Sequence, residues 1–376
     1  PGDNRQGATL VEAVPTPAGA VAGGNVVNGT AVTRQVNAAL NESVRDATSD
    51  QSAAQQLNSL LTQLQTTFGT LNDNDLSAQM TSFFNSFSTL ANDPSNTSQQ
   101  ALVIQNGVSM AQSLQQLQGQ LANIGATANT QVSTLAQQAD SLAGQIATLN
   151  GQIAQSQGGA DPDNALLDQR DQDLAQLSQY MDIKVVDQGN GNLNVLVHGM
   201  PLVQGATSRG VATKASSDAN GDPVTNVVFG DNGDAMNVTG GQLGALTAAR
   251  DSYISPAIGA VDTLAAGMIS VVNGIYSQGQ AATGYASVTG TTAVTDPTAA
   301  LNAPLTQTGI AFPPANGAFD LYLTDSSTGQ TTTQQIAVNL SGQGTQTSLN
   351  SLAASISAAG GGTVNATVDA SGHLSI

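Results

Sequence analysis

A chain of 376 residues with 26 acids against 8 Lys and Arg, net charge −18, has no basic stripe with which to displace counterions from nucleic-acid phosphates, and the same deficit disfavours an anionic membrane surface. The absence of cysteine removes disulfides, thiolate metal sites and thiol nucleophiles. Charged residues are 9% of the chain, where soluble proteins average about 25%, and aromatics only 3%, so cores must be built from Leu, Val, Ile and Ala, as suits long helices lying side by side.

At about 150 residues per domain, two or three domains are expected. Residues 1–30, rich in Gly, Pro and Ala, read as a loose lead-in with one extended stretch at 25–32. Neither a basic n-region nor an apolar h-region follows Pro1, so no cleavable signal is visible. A helical period begins near Thr33 (Val36, Leu40, Val44, Leu57, Leu61, Leu64, Phe68) and is stopped by the Asn and Asp of residues 72–75. A shorter helix follows, and its Phe83, Phe84 and Phe87 are the expected anchor of the first core.

After Asp93-Pro94-Ser95 a long helix is predicted to run to Gly158-Gly159. Its seam is Leu114, Leu117, Leu121, Ile124, Ala128, Val132, Leu135, Ala139, Leu142, Ile146, Leu149 and Ile153, at steps of three and four. The seam alone spans roughly 60 Å, the proportions of a scaffold rather than a pocket wall. Its uncharged Gln, Asn, Ser and Thr flanks would let like subunits approach without strong repulsion.

Asp161-Pro162 restarts a helix expected to bury Leu166, Leu167, Leu174, Leu177 and Tyr180. Short strands are predicted at 183–186, 193–197, 201–204, 211–213 and 227–229. Another long helix covers about 241–276, with Pro256 kinking or interrupting it. No run approaches about 18 consecutive apolar residues, so no membrane span is expected. Beyond Gly279 the chain turns Thr-, Ser- and Gly-rich, with strands at 319–323, 335–340 and 364–368 and one helix at 348–358. The fold class is α+β: a lead-in at 1–30, a long-helix bundle at 31–279 with a β insertion at about 183–236, and a mostly-β outer domain at 280–376. The chain stops in mid-pattern at Ile376, and the last domain reads as C-terminally truncated.

No catalytic site emerges. His198 and His373 lie in different predicted domains beside turn glycines, too far apart in sequence to argue a metal site. Asp218-Ala219-Asn220-Gly221-Asp222 opens like a calcium loop, yet its sixth and twelfth positions are Pro223 and Phe229 where Gly and Glu are needed. An Asn-Gly hairpin turn explains it, and Asp231-Asn232-Gly233-Asp234 is read likewise. Asp168, Asp171 and Asp173 around Arg170 could be imagined as a glycosidase pair, but a charged helix face is the simpler reading. No nucleophile elbow, dinucleotide fingerprint or P-loop occurs in its required context, and no cofactor is expected.

Leu166-Leu167-Asp168-Gln169-Arg170-Asp171, after a long Gln-rich helix and a Gly break, resembles the bacterial flagellar hook-associated proteins of the hook–filament junction, the FlgK family. So do Gly24 to Arg34, Phe83-Phe84 with Asp93-Pro94 and Gln99-Gln100-Ala101-Leu102, Pro201-Leu202-Val203-Gln204-Gly205 with Arg209, and Ala249-Arg250-Asp251. Gly317-Ala318-Phe319-Asp320-Leu321, Thr347 to Leu352 and Gly372 to Ile376 resemble a small β-α-β module of hook-associated proteins. The resemblance implies a secreted axial structural protein, not an enzyme, exported through the flagellar type III apparatus to the extracellular flagellum. Its implied partners are copies of itself in a ring, the hook protein, the neighbouring junction protein and an export chaperone. Because the family's terminal helices have no counterpart in this sequence, the chain by itself is expected to be monomeric. Arg34, Arg170 and Arg250 are the candidate structural ion pairs, since so few cations face so many acids. Alternatives are another axial component (a second junction protein, a flagellin-like subunit or the filament cap), a surface adhesin, and, weakest, a cell-wall hydrolase.

Overall fold

The structure, a computed structural model, describes residues 5–8, 32–35, 37–69, 76–156, 164–189, 191–218, 220–279 and 284–376, the first two stretches as backbone. The described residues divide into two compact units, the first ending at Ala266 and the second starting at Gly267.

In the first unit β1 (Arg5–Ala8) pairs antiparallel with β2 (Val32–Gln35), so the chain at Thr33 is extended rather than helical. Helix α1 (Ala38–Gly69) starts five residues later than the period suggests, because the Asn37 carboxamide oxygen accepts the Leu40 N–H at 3.2 Å and supplies the cap. The expected extended stretch at 25–32, apart from Val32, and the stop at 72–75 lie outside the described residues.

Helix α2 (Leu76–Asn92) packs on α3 (Thr97–Ser156), which at 60 residues is about 90 Å long. Most of the predicted seam is buried, Ile124 and Leu135 being half-buried. The expected Phe anchor needs correction. Only Phe83 is buried; it meets Phe87 edge-on at 5.0 Å between ring centroids, while Phe84 points outward. The three rings span about 100° of the helix, and only the Phe83 edge of that stripe is covered by α3.

Helix α4 (Asn164–Tyr180) buries Leu174 and Leu177, with Leu166, Leu167 and Tyr180 only half-buried. Polar Arg170, Asp173 and Ser178 take the remaining interior positions. Strands β3 (Lys184–Gly189), β4 (Asn192–Val197), β5 (Met200–Gln204) and β6 (Thr207–Ser208) form an antiparallel meander in that order. Alternation along β4 puts Leu193, Val195 and Val197 inside. Strands β7 (Val211–Ser217) and β8 (Pro223–Phe229) form a separate hairpin, and β4 to β8 all contact α3.

The return helix runs as α5 (Gly241–Ala249), a π turn (Arg250–Ile254) and α6 (Ser255–Tyr276). The expected break at Pro256 is thus a register change. Pro256 has no N–H and crowds the carbonyl four residues back, and the wider turn just before it absorbs the misfit without ending the helix. The expectation of no membrane-length segment also needs correction. Gly241–Tyr276 is long and apolar enough by length and composition to cross a bilayer, with mean hydropathy 1.5 over 18 residues. Interspersed Gly, Ala and Ser break its apolar runs without lowering the average much.

The second unit holds a four-residue helix α7 (Leu305–Thr308), the hairpin β9 (Gly317–Thr324) with β10 (Thr331–Val338), helix α8 (Leu349–Ala359), and a short pair β11 (Thr367–Val368) with β12 (Leu374–Ser375). Ser348 caps α8 in a capping box with Ser351. Val294, Leu301, Val338, Leu340 and Leu349 form one core cluster, and Ile336, Ala353, Ile356 and Ala366 another.

Candidate functional site

The chemistry of this chain is concentrated where α3 holds the β insertion. Three polar side chains of α3, each directly after a seam residue, engage backbone of the insertion. Asn129 follows Ala128, Asp140 follows Ala139, and Asn150 follows Leu149. Spacings of 11 and 10 residues keep them on one broad side of the helix, since 11 residues make just over three whole turns.

Asn150 is fully buried. Its Nδ2 donates to the Leu193 carbonyl at 2.9 Å and the Gly205 carbonyl at 2.8 Å, and its Oδ1 accepts from Arg170 Nη1 at 2.9 Å. Arg170 Nη1 also donates to the Gly191 carbonyl at 2.6 Å. One amide and one guanidinium therefore join α3, α4, the start of β4 and the β5–β6 turn.

Asp140 Oδ1 accepts the Val211 N–H at 2.9 Å. Asn129 Oδ1 accepts the Thr225 N–H at 3.0 Å while its Nδ2 donates to the Pro223 carbonyl at 2.8 Å. The same Oδ1 accepts from Arg250 Nη1 at 3.2 Å, and that nitrogen donates to the Thr225 carbonyl at 2.6 Å. Arg250, buried in the π turn, is oriented by a two-pronged ion pair to Asp251, Nε to Oδ1 at 2.7 Å and Nη2 to Oδ2 at 3.2 Å. Arg170 and Arg250 thus repeat one device: an α3 asparagine and an arginine share the carbonyls of an insertion segment. Arg34 lies in β2, opposite Gln6, and its side chain is outside the described residues.

A second ionic joint went unrecognised in the sequence. Lys184 Nζ reaches Glu42 at 3.1 Å and Asp46 at 3.0 Å, tying β3 to α1. Hydrogen bonding to Asp46, then to Glu42, raises the Lys184 pKa above the ordinary lysine value. A raised lysine pKa adds stability that is fully present below the unfolded value and is lost only as pH climbs through the folded one, so the joint is intact at neutrality. The pair is solvent-exposed, and Lys184→Met is expected to lower the urea midpoint only slightly, with the difference shrinking in about 1 M salt.

Asp173 of α4 is 2% exposed, with Gln169 Nε2 donating to its Oδ1 at 3.0 Å. Burial pushes its carboxyl above the usual carboxylate range, and the Gln169 bond only partly offsets that. The unfolded chain therefore ionises this group more readily than the folded one, and stability falls as pH rises through the window between the two values. Asp173→Asn keeps an acceptor for Gln169 and removes the penalty. It is expected to raise the melting temperature at about pH 7, and the gain should shrink as pH falls and vanish once pH is well below the ordinary Asp value of about 3.9, where the carboxyl is protonated in both the folded and the unfolded chain.

Asp168 and Asp171 share α4 with Asp173, and Asp171 acts on Arg45 of α1 as a nearby charge. His198 sits in the β4–β5 turn at φ 46°, and His373 Nδ1 lies 3.3 Å from Asp369 Oδ2 in the second unit. The Asp218–Asp222 loop closes the β7–β8 hairpin, Asp218 Oδ1 accepting the Asn220 and Asp222 N–H groups at 2.9 Å each. Among the described residues no group of three His, Asp or Glu side chains is placed to hold a metal ion.

Comparison with known proteins adds three findings. The family model described as the flagellar hook-associated protein FlgK helical domain matches residues 61–291. Over 81 residues, 21% of this chain and 14% of the relative, the sequence is 41% identical to flagellar hook-associated protein 1 of Escherichia coli K12. The structure of the flagellar hook junction protein FlgK from Burkholderia pseudomallei superimposes with a TM-score of 0.58 at 24% identity, a likeness of fold. That match covers 82% of this chain and 59% of the other, so the matched part of this chain spans less than two thirds of either relative.

Proposed function

The chain belongs to the flagellar hook-associated protein FlgK family, and from that premise we propose that it is a structural link at the junction between hook and filament. Its family is one of structural flagellar proteins, and the chain is a flagellar axial component rather than an enzyme. The observation that carries the reading is the family match over residues 61–291, which takes in most of the helical unit and the whole of the α3-mounted insertion.

The physical account supports the same role. A helix of about 90 Å transmits load along its axis, and the polar pegs of α3 fasten the insertion along it. Arg170 and Arg250 then act as clasps that hold the insertion in register, with Arg34 proposed for a comparable place at the N-terminal end. In the assembled flagellum the chain would be extracellular, reached through the flagellar type III export route with the help of a chaperone. It would pack as a ring of copies between hook protein and the neighbouring junction protein. Cells lacking the full-length protein are expected to carry hooks without filaments. Filaments of normal length and attachment in such cells would overturn the proposal.

A further inference from the structure

The tripeptide Asn-Gly-Asp occurs twice in the β insertion, at 220–222 in the β7–β8 turn and at 232–234 after β8, and the fold treats the two copies differently. Both asparagines are exposed. Asn232 is tied at both ends of its carboxamide: Nδ2 donates to Asp234 Oδ2 at 2.5 Å, and Oδ1 accepts the Asp234 N–H at 3.0 Å. The Gly233 N–H that follows donates to the Phe229 carbonyl at 2.8 Å. The Asn220 side chain has one hydrogen bond among the described residues, Nδ2 to Ser255 Oγ at 3.5 Å, beyond the usual range. Its following Gly221 N–H reaches the Asp218 carbonyl at a longer 3.2 Å. Other described Asn-Gly pairs are held too. Asn106, Asn150 and Asn273 lie inside helices, where the next N–H belongs to the helix ladder, and Asn316 Oδ1 accepts the Leu340 N–H at 2.7 Å.

We propose that Asn220 is a site of spontaneous deamidation, and that its conversion loosens the β7–β8 hairpin tip from α6. The Gly221 nitrogen, unshielded by any Cβ, gives its proton to solvent base and attacks Asn220 Cγ. A C–N bond forms, closing a succinimide, and the carboxamide nitrogen leaves as ammonia. Water then adds to one of the two imide carbonyls and opens the ring. The product is aspartate or, with the main chain rerouted through the side chain, isoaspartate. The new charge falls where it is least tolerated. Asp218 Oδ2 accepts the hydroxyl of Ser255, the first residue of α6, while its Oδ1 holds the Asn220 and Asp222 N–H groups at 2.9 Å each. Asp222 Oδ2 is covered and meets no donor among the described residues. Burial, and then the like charges of Asp218 and of Asp262 on α6, hold the Asp222 carboxyl above the usual carboxylate range. A carboxylate at 220 adds to that repulsion and replaces a donor facing Ser255 with a group that can only accept. Isoaspartate also lengthens the backbone of the loop that Asp218 closes.

The repeated tripeptide is its own control. The chain is incubated folded in warm, mildly alkaline buffer, and in parallel unfolded in urea, then digested with trypsin. Cleavage after Lys214 and Arg250 leaves Asn220 and Asn232 on one peptide, where fragmentation mass spectrometry scores the amide-to-acid change at each. In the folded chain the acid is expected to accumulate several-fold faster at 220 than at 232, and in urea at similar rates. Equal rates in the folded chain, or 232 ahead of 220, would overturn the proposal. A difference that persists unchanged in urea would overturn it as well, by assigning the effect to the preceding residue instead of the fold. Hydrogen exchange tests the consequence. Asn220→Asp is expected to speed exchange of the Asp222 amide several-fold over the parent, whereas Asn220→Ser, which removes the same carboxamide without adding charge, should speed it less. Equal exchange in the two variants would overturn the claim that the new charge loosens the tip.

Discussion

Asn150→Ala is expected to cost about 3–5 kcal/mol of stability in urea unfolding, more than truncating any neighbouring seam alanine could. The side chain is fully buried and makes three hydrogen bonds. Its removal strips the Leu193 and Gly205 carbonyls of the donor it supplies and takes one of the acceptors of the Arg170 guanidinium, itself only 5% exposed. The expense lies in groups left buried without the bonds they had in the parent, so Arg170→Leu should cost a similar amount by exposing the same fault from the other side. Because the two residues act as one unit, the double variant should lose at least about 1 kcal/mol less than the sum of the singles. A loss below about 1 kcal/mol for Asn150→Ala, or strict additivity, would mean that the α3–α4 clasp contributes little.

Gly241→Ala is the second large effect. Gly241 opens α5 at φ 63°, a region that costs other residues roughly 1–2 kcal/mol. An added Cβ would also lie 2.5 Å from Met181 N and Tyr180 C, backbone that cannot turn aside as a side chain would. Together these predict a loss of about 3 kcal/mol or more and separation of the α4 C-terminus from the start of α5. Thermal unfolding followed by circular dichroism checks it, and a melting temperature unchanged from the parent would contradict it.

Helical periodicity made the architecture readable, since a seam held at steps of three and four over 40 residues has no other folded solution. What escaped was decided by tertiary partners. Phe84 has the chemistry of a core residue and faces outward because α3 occupies only one side of α2. Val36 and its neighbours fit a helical period, but pairing of β2 with β1 and the Asn37 cap move the helix start. Scarcity of cations drew notice to Arg170 and Arg250, yet the partners described for them include neutral amides and backbone carbonyls, which no charge count reveals. Asn129 and Asn150 were camouflaged among the many Asn and Gln of α3. One signal was available: Asp140 is the single charged residue in that 60-residue helix, and it marks the middle of the polar stripe.

The most direct measurement of the central claim is immunogold electron microscopy of intact cells with antibody raised against this chain. Gold confined to the boundary between hook and filament is the expected result. Gold distributed along the whole filament would contradict it and indicate a filament subunit, and gold away from flagella would point instead to an adhesin.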